Sequence, residues 1–398
     1  MREIRASEWK NHTVQLGEDA RFEKDHVFEQ LGLDHIAAVR VETGGVTIDL
    51  NGAVLDGRNL HGYGIYLRDC DGVTIKNGTI RGFFYGIVAE NCSSLTLENL
   101  IVSENYDNPE AGWLHETEAP DYSGLGGGML LKGVTRSKVE RCTLTKQFNG
   151  LDLILCSDIS VRDVDCSHNS NFGLHLLSTH RSRIERSRMD HCLRYSANAH
   201  DRLGGCDAAG ILIEQGSHHN RFIGNSAVHS GDGIFVRGNN LVRSCHNIFE
   251  GNDCSYSPHN AIEDGFGIGN QYLGNICSHS DYGFWVFDTY ESLLLENKVE
   301  GNVRDGIAMR YGRGNHLVRN TVRRNGRAGM RIWWEPHEKL GGEPSSHYFL
   351  LGNTVTHNGQ GVVVEKSQAI TLSANRVERN GESDADNLVV KDSDVRIS

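Results

Sequence analysis

Four acidic residues, Asp152, Glu214, Asp232 and Glu263, stand in short runs of alternating apolar residues: NGLDLI, AGILIE, DGIFVR and NAIEDG. Carboxylates held this way suit work on a glycosidic bond, where one carboxyl protonates the leaving oxygen and a second activates water or attacks carbon. His175, in FGLHLL, holds the place in its run that Asp152 holds in its own, so a histidine–carboxylate contact that tunes the acid is expected. Arg237, Arg310 and Arg331 offer planar forks to hydroxyl or acidic groups. Trp285, Phe287 and Trp333 offer flat faces for sugar rings. Together they predict a saccharide site, read first as a glycoside hydrolase with Glu214 and Glu263 as acid and base and Asp232 in reserve. The same residue types serve a uronate lyase or epimerase, in which a cation neutralises the carboxylate, a base takes the α-proton and a Tyr or His acid completes the step. A non-catalytic binding or accessory protein is the third reading.

A repeat supplies the positions. Gly followed by alternating apolar residues recurs from YGIYL (63–67) and YGIVA (85–89) through FGLHL (172–176), DGIFV (232–236) and YGFWV (282–286) to QGVVV (360–364), at intervals of 22 or 23 residues where nothing is inserted. That period predicts an all-β solenoid, a single-stranded parallel β-helix of about 12 coils. Because side chains alternate along a strand, the first and third residues after each Gly face the interior and the second and fourth face out. Asp152, His175, Glu214, Arg237, Glu263, Trp285, Phe287, Arg310, Arg331 and Trp333 then share one outer strip. With coils roughly 4.8 Å apart and residues roughly 3.3 Å apart, the Glu214 and Glu263 carboxyls are expected about 6–9 Å from each other, the spacing of inverting enzymes. Asn225, Asn252, Asn275, Asn297, Asn320, Asn353 and Asn375 fall at one register and are expected to stack as an amide ladder.

Residues 1–37 are expected to cap the solenoid and 38–398 to form it, one domain overall. Insertions at 103–126, 190–207 and 333–347 would rise beside the groove, and the second brings His200, Asp201 and Arg202 as further substrate contacts.

This pattern resembles the pectate-lyase-like right-handed parallel β-helix superfamily over roughly residues 38–395. The resemblance implies a polysaccharide ligand on the outer face, as in polygalacturonase-like glycoside hydrolases and in uronate lyases and epimerases. SPHNAIED (257–264) resembles the Asp-Pro-His-Asp motif of mannuronan epimerases, with Ser257 for the first Asp and Asn260 for the last, and with Pro258 and His259 kept.

The net charge of −12 leaves no basic field for nucleic acid, and no apolar run reaches membrane-spanning length. Ten cysteines without a CxxC pair read as reduced core residues, which points to the cytoplasm, or to a secreted or periplasmic protein whose leader has been removed. Twenty His show no HExxH or paired-Cys pattern, so no metal or other cofactor is expected, with Ca²⁺ considered only for a lyase.

Overall fold

Alternation closes the chain into coils because each apolar residue finds its equivalent directly above and below. The computed structural model describes residues 1–33, 36–111, 124–194, 208–238, 242–336 and 343–398, and the chain forms two compact units, Met1–His200 and Asp201–Ser398. Each unit is a parallel solenoid. In the first, Ile65, Ile87, Met129, Leu151 and Leu174 pair in sequence across successive strands. In the second, Ile211, Ile234, Ile262, Phe284, Ile307, Met330 and Val362 do the same. Both columns are buried and form the core. In each unit a sheet of strands typically six residues long carries its column, with seven such strands in the first unit and eight in the second. They comprise eleven Gly-marked runs, the run Asn260–Gly265 in which Ala261 takes the place of that Gly, and three further strands, Val14–Leu16, Ala37–Val41 and Leu388–Lys391.

The segment expected as a cap is already coiled. Val14 pairs in parallel with Val39, and Arg2 with Ala20, so stacking begins at residue 2. The glycine that marks each coil answers to space: a Cβ at Gly233 would lie 2.5 Å from the Ala261 carbonyl oxygen and 2.7 Å from the Cys254 Cβ. On the opposite side of the second unit, Phe222, Phe249 and Tyr272 stack at 5.0 and 4.8 Å between ring centres. None of the nine described cysteines forms a disulfide, and eight are buried. Among the described residues no helix is long and apolar enough to cross a membrane.

The asparagine ladder is present. At each rung both the backbone N–H and the side-chain Nδ2 donate to the Oδ1 of the next Asn, as from Asn275 to Asn297 at 2.9 and 3.1 Å. Nδ2 also donates to a carbonyl of the preceding coil, Asn275 to Phe249 at 2.9 Å. A second ladder, Asn302, Asn325, Asn358 and Asn380, repeats the pattern at another corner.

One acid breaks the apolar pattern. Asp264 stands between Val236 and Val286 in an interior column, where Tyr272 Oη and Asn270 Nδ2 donate to its Oδ2 at 2.7 and 3.1 Å. Burial pushes its carboxyl up to about 6.

Two outcomes are expected. Replacing Asn297 by Ala strips two Asn275 donors of their acceptor and lowers stability in denaturant titrations by about 2–4 kcal/mol. Asp264 binds its proton more tightly folded than unfolded, so its contribution is full below pH 4 and lost as pH rises through about 6. Asp264→Asn should therefore remove on the order of 3 kcal/mol from the fall in unfolding free energy between pH 4 and pH 7, and an unchanged slope would refute this assignment.

Candidate active site

The second unit gathers acid–base groups where one coil ends and the next begins. Asp232 opens the strand Asp232–Arg237, and its Oδ1 accepts a 2.9 Å bond from the backbone N–H of Asn260, the first residue of the strand above. Because His259 immediately precedes Asn260, the same oxygen lies 2.9 Å from His259 Nδ1. Asp232 is fully buried, whereas the His259 side chain is 30% exposed. A carboxylate in that position holds the ring proton on Nδ1 and leaves Nε2 as the unprotonated nitrogen.

Glu263 completes the cluster from the outward position of the same strand. Its Oε2 accepts from Asn260 Nδ2 at 2.5 Å and stands 3.9 Å from His259 Nδ1. Burial, reinforced by the charge of Asp232, pushes its carboxyl up to about 8. At neutral pH Glu263 therefore carries a proton. Donor atoms of Asp232, His259 and Glu263 all lie within 4.8 Å of one another, and among the described residues they are the set of acidic, His or Cys side chains close enough to converge on one cation. Asp232 Oδ2 and Asn260 Oδ1 are buried with no hydrogen-bond partner.

Glu214, expected to pair with Glu263, meets an arginine of the neighbouring strand. Glu214 Oε1 accepts from Arg237 Nε and Nη2 at 2.8 and 2.5 Å, so its carboxylate is committed to a salt bridge with the next coil. Asp232, the residue held in reserve, is the carboxylate beside Glu263. Arg237 also lies over the Phe235 ring at 5.6 Å.

Further along the second unit, cations and aromatics interleave. Trp285 packs on Tyr282 and Trp333, ring centres 4.8 and 5.8 Å apart. Arg310 lies 5.6 Å from the Trp285 ring and pairs with Glu335 at 2.7 Å. Arg331 lies 4.5 Å from the Trp333 ring and pairs with Glu365 at 2.8 Å. Trp333 is only 7% exposed, so it supports the arginines rather than offering a free stacking face, contrary to expectation. Trp285 and Phe287 stay half-buried, with Phe287 edge-on to Phe266.

In the first unit, His175 Nδ1 does meet Asp152 Oδ1, at 3.1 Å. Tyr85 Oη and Asn149 Nδ2 also donate to Asp152, at 2.6 and 2.9 Å. Asp152 and His175 are buried, 1% and 7% exposed, instead of lining an open face. Their outward neighbours explain it: Val88, Leu130, Ile154 and Leu177 form an apolar cluster with Tyr85, so this stretch of the outer sheet is itself packed. His200, Asp201 and Arg202 lie outside the described residues, as do most of the first two insertions.

His259, Asn260 and Tyr282 were not assigned from alternation, because they sit at corners or strand starts. The signal for them was register: Asp232 and Asn260 head adjacent strands, and a histidine before Asn260 must meet that aspartate.

No curated protein matches the sequence. Among solved structures, the A-module of the mannuronan C-5 epimerase AlgE4 of Azotobacter vinelandii aligns over 87% of this chain and 88% of its own, with 10% identity and a TM-score of 0.53. The periplasmic alginate epimerase AlgG aligns over 94% and 78%, with 13% identity and a TM-score of 0.47. The Dettilon tailspike protein aligns over 94% and 62%, with 13% identity and a TM-score of 0.44. The family model described as "Right handed beta helix region" matches residues 41–227, 121–261 and 209–395. Those matches span most of the chain and agree with the parallel stacking described above, so the chain belongs to the right-handed parallel β-helix family.

Proposed function

We propose that this chain is a carbohydrate-active enzyme that moves a proton on a uronate-containing polysaccharide, by epimerase or lyase chemistry, at the Asp232–His259–Glu263 cluster. The observation that carries the reading is the 2.9 Å contact between buried Asp232 and partly exposed His259. It supports His259 Nε2 as the base that takes the proton α to the uronate carboxylate. Glu263, protonated at neutral pH, is suited to donate a hydrogen bond to the negative charge that develops as that proton leaves. Tyr282, paired in register with Asn260, brings a hydroxyl one coil along. Trp285 and Arg310 beside it suit a sugar ring and its acidic group. The segment resembling the epimerase motif contributes His259, and an epimerase that acts on mannuronan shares the fold.

Hydrolysis fits less well. It needs a second carboxylate within reach of the sugar, and Asp232 is fully buried while Glu214 is held by Arg237.

The test is incubation with polymannuronate and polygalacturonate in D₂O, following solvent deuterium in the sugar by NMR together with absorbance from unsaturated uronate. Deuterium without unsaturation indicates epimerisation, and unsaturation indicates lysis. New reducing ends with neither signal would overturn the proposal in favour of hydrolysis. His259→Ala should lower kcat by about 10²–10⁴-fold. Activity should fall above about 8 as Glu263 ionises, and Glu263→Gln should abolish that alkaline fall. Activity should survive EDTA, whereas loss restored by a divalent cation would recast the three groups as metal ligands.

A further inference from the structure

The Asp232–His259 arrangement recurs three coils on with one change. Asp305 begins DGIAMR as Asp232 begins DGIFVR, and its Oδ1 accepts a 2.8 Å bond from the backbone N–H of Ala328, as Asp232 accepts from Asn260. The residue before Ala328 is Arg327, in the place that His259 holds before Asn260. Arginine does not give up its proton near neutral pH, so this copy of the motif can bind an anion but cannot act as a base.

The surroundings form a site. Arg327, Arg331 and Lys391, with Asp305, Gln360 and Glu365, line an open pocket of about 380 Å³, within the range of small-molecule sites. Glu365 is shared between Arg331 at 2.8 Å and Lys391 at 2.9 Å. Asp305 is 2% exposed, and burial raises its carboxyl, which weakens its negative charge. Arg327 is exposed and makes no side-chain hydrogen bond or ion pair among the described residues. Positive charge is therefore in excess here, on a chain whose net charge is −12.

We propose that this pocket is a subsite for a second carboxylated unit of the polysaccharide, gripped by Arg327 with Lys391, about 14 Å along the coil stack from His259. The inference rests on the uronate reading above and gives it a length requirement: the chain must be long enough to span three coils.

Binding decides it. Size ladders of oligomannuronate and oligogalacturonate, with neutral malto-oligosaccharides of matching length, are titrated by calorimetry into the parent protein, Arg327→Ala and Lys391→Ala. The parent should bind long acidic chains. Arg327→Ala should bind them about tenfold more weakly, the scale of one charge-assisted contact, with neutral chains unchanged and with a smaller loss of affinity on adding salt. Equal affinity of Arg327→Ala and parent for long acidic chains would overturn the subsite, as would equal losses for neutral and acidic ladders or a parent that binds no acidic chain. The two proposals fail separately. A parent that turns over uronates while Arg327→Ala binds normally removes only the subsite, and one that turns over none while Arg327→Ala still loses the acidic ladder removes only the proton-transfer reading.

Discussion

Each residue of a coil rests on its equivalent in the coils before and after, at the separation that parallel backbone hydrogen bonds allow, roughly 4.8 Å. This register governs the rest of the molecule. It turns Ile211 through Val362 into a continuous apolar column, and it lets one asparagine amide satisfy both a neighbour's backbone and its side chain. It also turns chemistry into a matter of columns, since a residue type that repeats or changes from coil to coil lines up along one face.

The acid–base cluster is a product of that stacking. An aspartate at a strand start has a structural task, accepting the N–H that opens the next strand, and Asp232 and Asp305 both perform it. What distinguishes them is the residue that immediately precedes that N–H, a histidine in one case and an arginine in the other. A capping position that the fold needs has thereby become the buried orienting group of a histidine at one level and part of a cationic pocket at another. The environment of Glu263 follows from the same geometry: the fully covered Asp232 beside it and the loss of solvent together favour its neutral form.

The solenoid, its core columns and the asparagine ladder were legible in the sequence because they are periodic, and a period survives without knowledge of any contact. The Asp152–His175 contact was legible for the same reason. Their burial was not, although the outward residues Val88, Leu130, Ile154 and Leu177 carried the signal: four apolar side chains on an outer face imply that the face is packed. The partner of Glu214 was not legible, because alternation places residues on a face without saying which neighbour claims them, and Arg237 directly above it does. His259 was noted only within the SPHNAIED segment and not as a site residue, because corners lie outside the alternation; the pairing of one coil's first residue with the next is what sets it against Asp232.

The ladder rung from Asn320 to Asn353 spans 33 residues, yet its bonds, 2.9 and 3.0 Å, match those between rungs 22 or 23 residues apart. The stack takes no notice of how much chain leaves it and returns. Each corner is thus a port at which sequence can be lengthened, exchanged or removed without the scaffold having to be solved again. Such a fold can change what it recognises by editing one turn at a time while the rungs on either side keep the coils in place.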